Sequence, residues 1–217
     1  MPAMLSKFKE ALSSFFKPVA GMLLRFGVTP NHITITGFIA SILSAMFIVG
    51  GRLDLLVLLG EGNRLITASI LILASGLCDL LDGLVARMGG LVTAFGGFFD
   101  SVLDRYAEVI FLISLICMGY CSLLWGVIAL SGSLLVSYAR ARGEAAGVSK
   151  MGIGIAERPE RLLILGGATF LQGALFNNAI TLPLIDFAVI LIAVISHLTV
   201  LQRGYYAWRH LTEKHRS

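Results

Sequence analysis

Four aspartates carry the chemistry that this chain can do: Asp79 and Asp82 in SGLCDLLDGLVAR, then Asp100 and Asp104 in GGFFDSVLDR, all within otherwise apolar segments. A carboxylate at membrane depth is costly to keep, so each one implies a site. Spacings of three and four residues put both members of a pair on one helical face, and the two pairs can then point at a common centre. Four clustered carboxylates can bind two divalent cations, and oxygen-only ligation favours Mg²⁺, Mn²⁺ or Ca²⁺ over zinc. Such a site suits displacement at phosphorus. Bound cations hold a pyrophosphate, and one carboxylate can take a proton from an attacking hydroxyl.

The elements that must position these aspartates are membrane helices. With 57% hydrophobic and 14% charged residues among 217, and a mean hydropathy of +0.87, the chain has too little polar surface to cover a soluble globule. Residues 4 to 16 put Met4, Leu5, Phe8, Leu12, Phe15 and Phe16 on one side of a helix and Lys7, Lys9 and Glu10 on the other, the pattern of an interfacial amphipathic helix. Apolar runs then follow at about Ile33 to Gly50, Leu65 to Ala86, Ala94 to Gly119, Ser122 to Tyr138, Leu162 to Phe176 and Leu182 to Leu201. Each is read as a span across a hydrocarbon core of about 30 Å. The expected fold is therefore an all-α integral membrane protein with an N-terminal interfacial helix and six transmembrane helices. It forms one domain over residues 1–217, with 1–28 as the interfacial region and 31–209 as the six-helix core.

Under the positive-inside rule, Lys7, Lys9, Lys17, Arg25, Arg87, Arg140, Arg142, Lys150, Arg158, Arg161, Arg203, Arg209, Lys214 and Arg216 mark one side, and only Arg52 and Arg64 the other. Both termini and the aspartate cluster then face the cytoplasm of a multi-pass protein in the cell membrane. The net charge of +4 does not indicate nucleic acid, because the basic residues sit at helix ends and not in an aromatic-studded patch. Anionic head groups and phosphorylated substrates are the expected partners, beside the bilayer itself. Cys78, Cys117 and Cys121 have no disulfide or metal-ligand spacing and read as core thiols. The N-terminus has no secretory-leader pattern.

The run Asp79-x2-Asp82-Gly83-x2-Ala86-Arg87-x8-Gly96-x3-Asp100-x3-Asp104 resembles the signature of the CDP-alcohol phosphotransferase family, with all eight fixed positions filled. The resemblance implies an interfacial helix followed by six membrane helices, usually as a homodimer. It implies that Asp79, Asp82, Asp100 and Asp104 hold two divalent cations, Mg²⁺ or Mn²⁺, with Asp104 also the base toward the acceptor hydroxyl. Gly83, Arg87 and Thr93 would contact the CDP part of a CDP-lipid donor, and Ala86 and Gly96 would leave room for it. Thr29-Pro30-Asn31-x-x-Thr34 resembles the start of the family's first span, with Asn31 and Thr34 reaching the nucleotide; it reads equally as a proline turn and helix cap.

The signature leaves the acceptor open. The link SYARARGEAAGVSKMGIGIAERPERLL concentrates Arg140, Arg142, Lys150, Arg158 and Arg161, and Arg203 returns in TVLQRGYY. Arginines beside a reaction centre can bind a second phosphate bidentately, although basic residues at the cytoplasmic end of helices also follow from topology alone. SYARARGEAAG, GIAERPERL and TVLQR resemble the subgroup that transfers to L-myo-inositol 1-phosphate. That resemblance implies acceptor-phosphate binding by Arg158 or Arg161 with Arg203, while Arg140 and Arg142 stand where bacterial members often carry a lysine. The expected reaction is metal-dependent transfer from CDP-diacylglycerol or CDP-archaeol to this phosphorylated polyol, releasing CMP. A phosphatidylglycerol phosphate synthase using glycerol 3-phosphate is the rival within the family. A small ion-coupled transporter is the rival from another class, and a catalytically idle assembly subunit is a third reading.

Overall fold

The computed structural model describes residues 2–51, 57–149, 151–155, 157–178 and 182–214; the side chains of 2–13, 57 and 213–214 also lie outside the described residues. Seven long helices follow one another: α1 (Pro2–Arg25), α2 (Pro30–Val49), α3 (Glu61–Met88), α4 (Ala94–Met118), α5 (Leu123–Ala145), α6 (Arg158–Phe176) and α7 (Leu184–Lys214), with a short 3₁₀ turn at Val57–Leu59. No strand occurs among the described residues. Local chemistry sets the boundaries. Pro30 opens α2 at a position where its missing N–H costs nothing. The Thr93 hydroxyl caps α4 by accepting from Gly96 N at 2.9 Å, and the Ser122 hydroxyl accepts from Trp125 N at 3.4 Å at the start of α5. Gly119 ends α4 in the left-handed conformation, φ 76°, which only glycine adopts at no steric cost.

Helices form at every place where an apolar run was expected, but the six-span reading is corrected. Among the described residues, four helices are long and apolar enough to cross a membrane: Pro30–Val49, Glu61–Met88, Leu123–Ala145 and Leu184–Thr212. The runs expected as the third and fifth spans fold as α4 and α6 and do not meet that standard. The reason is charge: α4 carries Asp100, Asp104, Arg105 and Glu108, and α6 is only 19 residues long with Arg158, Glu160 and Arg161 in its first turn. The correction therefore falls on α4 and α6, which bring Asp104, Glu108 and Arg161 into the interior. The protein is a multi-pass, all-α membrane bundle. Its first helix is longer than the expected 4–16 segment; the face formed by Met4, Leu5, Phe8 and Leu12 lies outside the described side chains, as do Arg52, Lys150 and Arg216.

Close packing in the bundle relies on small residues, as expected where lipid gives no hydrophobic drive for helix association. α3 is the hub, packing on α2, α6 and α1; α4 packs on α2 and α5, α5 on α7, and α6 on α7. A methyl group added at Gly37 would come within 2.8 Å of Cys78 Cβ, and one at Gly173 within 2.7 Å of the Gly62 carbonyl oxygen, so α2–α3 and α3–α6 meet backbone to backbone. The Ser44 hydroxyl donates to the Ala68 carbonyl at 2.9 Å across the first of these seams. Ile72, Phe111, Leu115, Leu162 and Val189 form the central apolar layer. A second cluster, built on Ala20, Ile33, Leu84 and Val85, seats α1 against α3. Of the cysteines expected in the core, Cys121 is buried and Cys78 partly so, whereas Cys117 faces outward.

Candidate functional site

α3 and α4 deliver their carboxylates to one place because the chain turns sharply between them. Gly89 caps α3, and Gly90, at φ 64°, makes the turn that a side chain would strain. Ligand oxygens of Asp79, Asp82 and Asp100 all lie within 4.8 Å of one another. At that separation two ionised carboxylates repel by about 3 kcal/mol at an effective dielectric constant of about 20, so the trio needs a compensating cation. The chain supplies part of it through Arg158, whose Nη1 lies 3.0 Å from Asp79 Oδ2. The Thr34 hydroxyl, on α2, donates to Asp82 Oδ2 at 2.7 Å, while Asp100 Oδ1 is buried with no hydrogen-bond partner. An all-oxygen trio with an orphaned buried oxygen fits a hard divalent cation.

Asp104 is not one of the three converging residues. It is buried one turn further along α4, where its Oδ1 lies 2.7 Å from Arg158 Nη1, and the same nitrogen lies 3.0 Å from Asp79 Oδ2. The Arg158 N–H bonds are not aimed at these oxygens, because Nε and Nη1 count as buried without a hydrogen-bond partner. The contacts are Coulombic and lack hydrogen-bond geometry. Arg105 Nη1 approaches Asp104 Oδ2 at 3.5 Å while donating to the Ser101 carbonyl.

Beside the aspartates opens a cavity of about 1130 Å³, lined from α3 and α4 by Asp79, Asp100 and Asp104 with Arg87 and Arg105, and from the α5, α6 and α7 side by Arg140, Arg158, Arg161 and Arg203 with Glu144 and Glu157. The arginines are held in different ways. Arg203, 2% exposed, donates from Nε to the Ile153 carbonyl at 2.8 Å and from Nη1 to the Val136 carbonyl at 2.6 Å. Arg161, 3% exposed, donates from Nε and Nη2 to Glu108 Oε1 at 2.9 and 2.6 Å. Arg140 is exposed and pairs with Glu144 one turn on, at 2.9 Å. Arg142 is exposed and does not line the cavity.

Of the residues expected to receive the donor nucleotide, Arg87 lines the cavity and Thr34 touches the aspartates. Asn31, Thr93 and Gly96 meet where α2 approaches the start of α4, and none of them lines the cavity: a Cβ on Gly96 would sit 2.9 Å from Thr93 Oγ1 and 3.5 Å from Asn31 Oδ1. Gly83 faces Arg87, whose Nη1 would lie 3.1 Å from an added Cβ, so glycine leaves the guanidinium its place. Ala86 is partly buried on the same helix and lines none of the cavity. Glu108 escaped the sequence reading. Its signal was present, since Asp100, Asp104 and Glu108 continue one stripe at four-residue spacing on α4.

Residues 27–201 match the CDP-alcohol phosphatidyltransferase family. The chain belongs to that family. It is 37% identical over 209 residues to archaetidylinositol phosphate synthase of Methanothermobacter thermautotrophicus, covering 96% of each chain. The crystal structure of Mycobacterium tuberculosis phosphatidylinositol phosphate synthase with CDP-DAG bound superposes with a TM-score of 0.70 at 30% identity, covering 88% of this chain and 92% of that one. The same Mycobacterium enzyme in complex with manganese and citrate gives the same score and identity, covering 88% of each chain. This protein is thus a membrane enzyme of the CDP-alcohol phosphotransferase type.

Proposed function

We propose that the protein transfers the lipid phosphate of CDP-diacylglycerol or CDP-archaeol to L-myo-inositol 1-phosphate, at a site that faces the cytoplasm. The observation that carries this reading is the meeting, on one cavity, of Asp79 and Asp100 from the converging aspartate trio with three arginines, Arg158 and the buried Arg161 and Arg203. The volume, about 1130 Å³, suits a nucleotide pyrophosphate together with a second phosphorylated group. The relationship to archaetidylinositol and phosphatidylinositol phosphate synthases supports the same acceptor.

Asp79, Asp82, Asp100 and Asp104 would hold two divalent cations, Mg²⁺ or Mn²⁺. When bound, these supply positive charge to the pyrophosphate and to the departing CMP. The chain's own residues do the rest. Arg87, which lines the cavity, with Asn31, Thr34, Thr93 and the small residues Gly83, Ala86 and Gly96, would seat the CDP portion. Arg158, Arg161 and Arg203, with Arg140 at the rim, take the acceptor's phosphate and so orient its hydroxyl. That hydroxyl attacks the lipid-side phosphorus, the bond from this phosphorus to the CMP oxygen breaks, and CMP leaves with that oxygen. Asp104, the nearest carboxylate to Arg158, takes the hydroxyl proton. The tails stay in the bilayer. Basic residues on the cavity side support a cytoplasmic site with both termini on that side, and the family resemblance supports a homodimer.

The test is CMP release by purified protein with Mg²⁺ and a CDP-lipid, comparing inositol 1-phosphate with glycerol 3-phosphate. Release with inositol 1-phosphate is expected. Release with glycerol 3-phosphate alone would keep the chemistry and overturn the acceptor; release with neither would overturn both.

A further inference from the structure

We infer that Glu108 is the positioning residue of the acceptor-phosphate site, fixing the Arg161 guanidinium at the cavity wall from behind. The inference rests on the acceptor reading above and names a group which that reading does not use. Glu108 lies one helical turn beyond Asp104 on the same face of α4, and Arg161 lies one turn beyond Arg158 on α6. The result is two rungs, Arg158 with Asp104 and Arg161 with Glu108, linking helices that share little direct packing. The outer rung borders the reacting centre. The inner rung is almost fully buried, both side chains being 5% exposed or less.

Three features separate orientation from simple stapling. Two adjacent donors of Arg161, Nε and Nη2, both go to the single oxygen Oε1, which fixes the guanidinium plane. The other oxygen, Oε2, is buried with no hydrogen-bond partner, and Glu108 and Arg161 border a small pocket with Phe111, Leu112, Ser133 and Ile192. A pair selected for stability alone has no need of such an orphan, since buried ion pairs are often replaced by apolar residues without loss. Arg161 also borders the cavity shared with Asp100, Asp104 and Arg203, whereas Glu108 does not, so the carboxylate stands behind the cation and outside the reach of substrate. A planar fork recognises phosphate through its orientation. A fixed carboxylate behind it supplies that orientation before the acceptor arrives.

The experiment compares steady-state parameters of the wild type, E108Q and the double variant E108M/R161M in detergent or lipid nanodiscs. E108Q keeps the volume and one acceptor oxygen but removes the charge. It should raise KM for inositol 1-phosphate roughly tenfold, the loss of one charge-assisted contact, with less than a twofold change in KM for the CDP-lipid. E108M/R161M restores apolar packing; it should remain folded, retain donor KM and show at least the same rise in acceptor KM. Wild-type acceptor KM in the double variant would remove Arg161 from the phosphate site and overturn the inference. So does an equal rise of both KM values in E108Q, or loss of fold in both variants, which would make the pair a determinant of folding. If wild type uses no phosphorylated acceptor at all, the acceptor reading fails and this inference falls with it; if wild type saturates normally and E108Q matches it, only the role of Glu108 fails.

Discussion

The two walls of the cavity, one from α3 and α4 and the other from α5, α6 and α7, are built on opposite principles. Behind the aspartate wall, Asp79, Asp82 and Asp100 crowd together with one hydroxyl donor and an orphaned oxygen. On the arginine wall, Arg161 is held by Glu108 and Arg203 by the Ile153 and Val136 carbonyls. Under the proposed function the first wall is completed by cations that bind, and the second, completed by the protein, would meet its ligand already oriented. Arg158 joins them, reaching Asp79 and Asp104 from α6. On that reading the difference teaches how a small bundle would bind two polyanions at once: one through cations recruited to carboxylates, the other through fixed guanidinium groups.

The contrast can be broken most sharply on the acidic side. Asp104→Asn should lower turnover by about three orders of magnitude, the range of a lost general base, while CDP-lipid binding and thermal stability stay close to wild type. Stopped assays of CMP release, paired with donor binding, check this; near-normal turnover would remove Asp104 from the role of base. Chelation should likewise abolish release, with recovery on adding Mg²⁺ or Mn²⁺, and calorimetric titration of Mn²⁺ into Asp82→Asn should show weakened binding without any substrate present.

On the arginine wall the effects should be smaller and confined to the acceptor. Arg203→Ala should raise acceptor KM by roughly 30-fold or more, as expected when a buried, hydrogen-bonded charge is removed, with little change in donor KM. Equal changes in both would move Arg203 out of the acceptor pocket. Thr34→Val removes the one hydroxyl donor on Asp82 and should raise the Mg²⁺ concentration for half-maximal activity by roughly tenfold, the value of a hydrogen bond to a charged group. Arg140→Ala, at an exposed pair, should cost roughly threefold or less in acceptor KM. Reversal of the Arg203 and Arg140 ranking would mean that the rim, not the buried wall, binds the phosphate.

The same division governs what the sequence made legible. The aspartates could be read because their relation is local: spacings of three and four on two helices joined by a glycine-rich turn are written in the chain order. Thr34 against Asp82 spans 48 positions, and Arg161 against Glu108 spans 53. The family resemblance named Thr34, but neither partner could be deduced from periodicity. The arginines were visible as a basic cluster, yet only packing separates Arg161 and Arg203, buried and tied, from Arg142, exposed and off the cavity. Glu108 was overlooked because it follows the signature's last aspartate, although it continues the same stripe. The span count failed for a related reason. Apolar runs were counted as spans even where α4 and α6 carry the charges that make the site.

The most direct test of the central claim, that the two walls bind two separate phosphate groups, is the mass of the lipid product formed from a CDP-lipid and inositol 1-phosphate. The account predicts a lipid with the inositol phosphodiester and an intact phosphomonoester, formed only with a divalent cation present. Efficient formation of a product from unphosphorylated inositol, with inositol 1-phosphate unused, would contradict it, because the arginine wall would then have no second phosphate to hold.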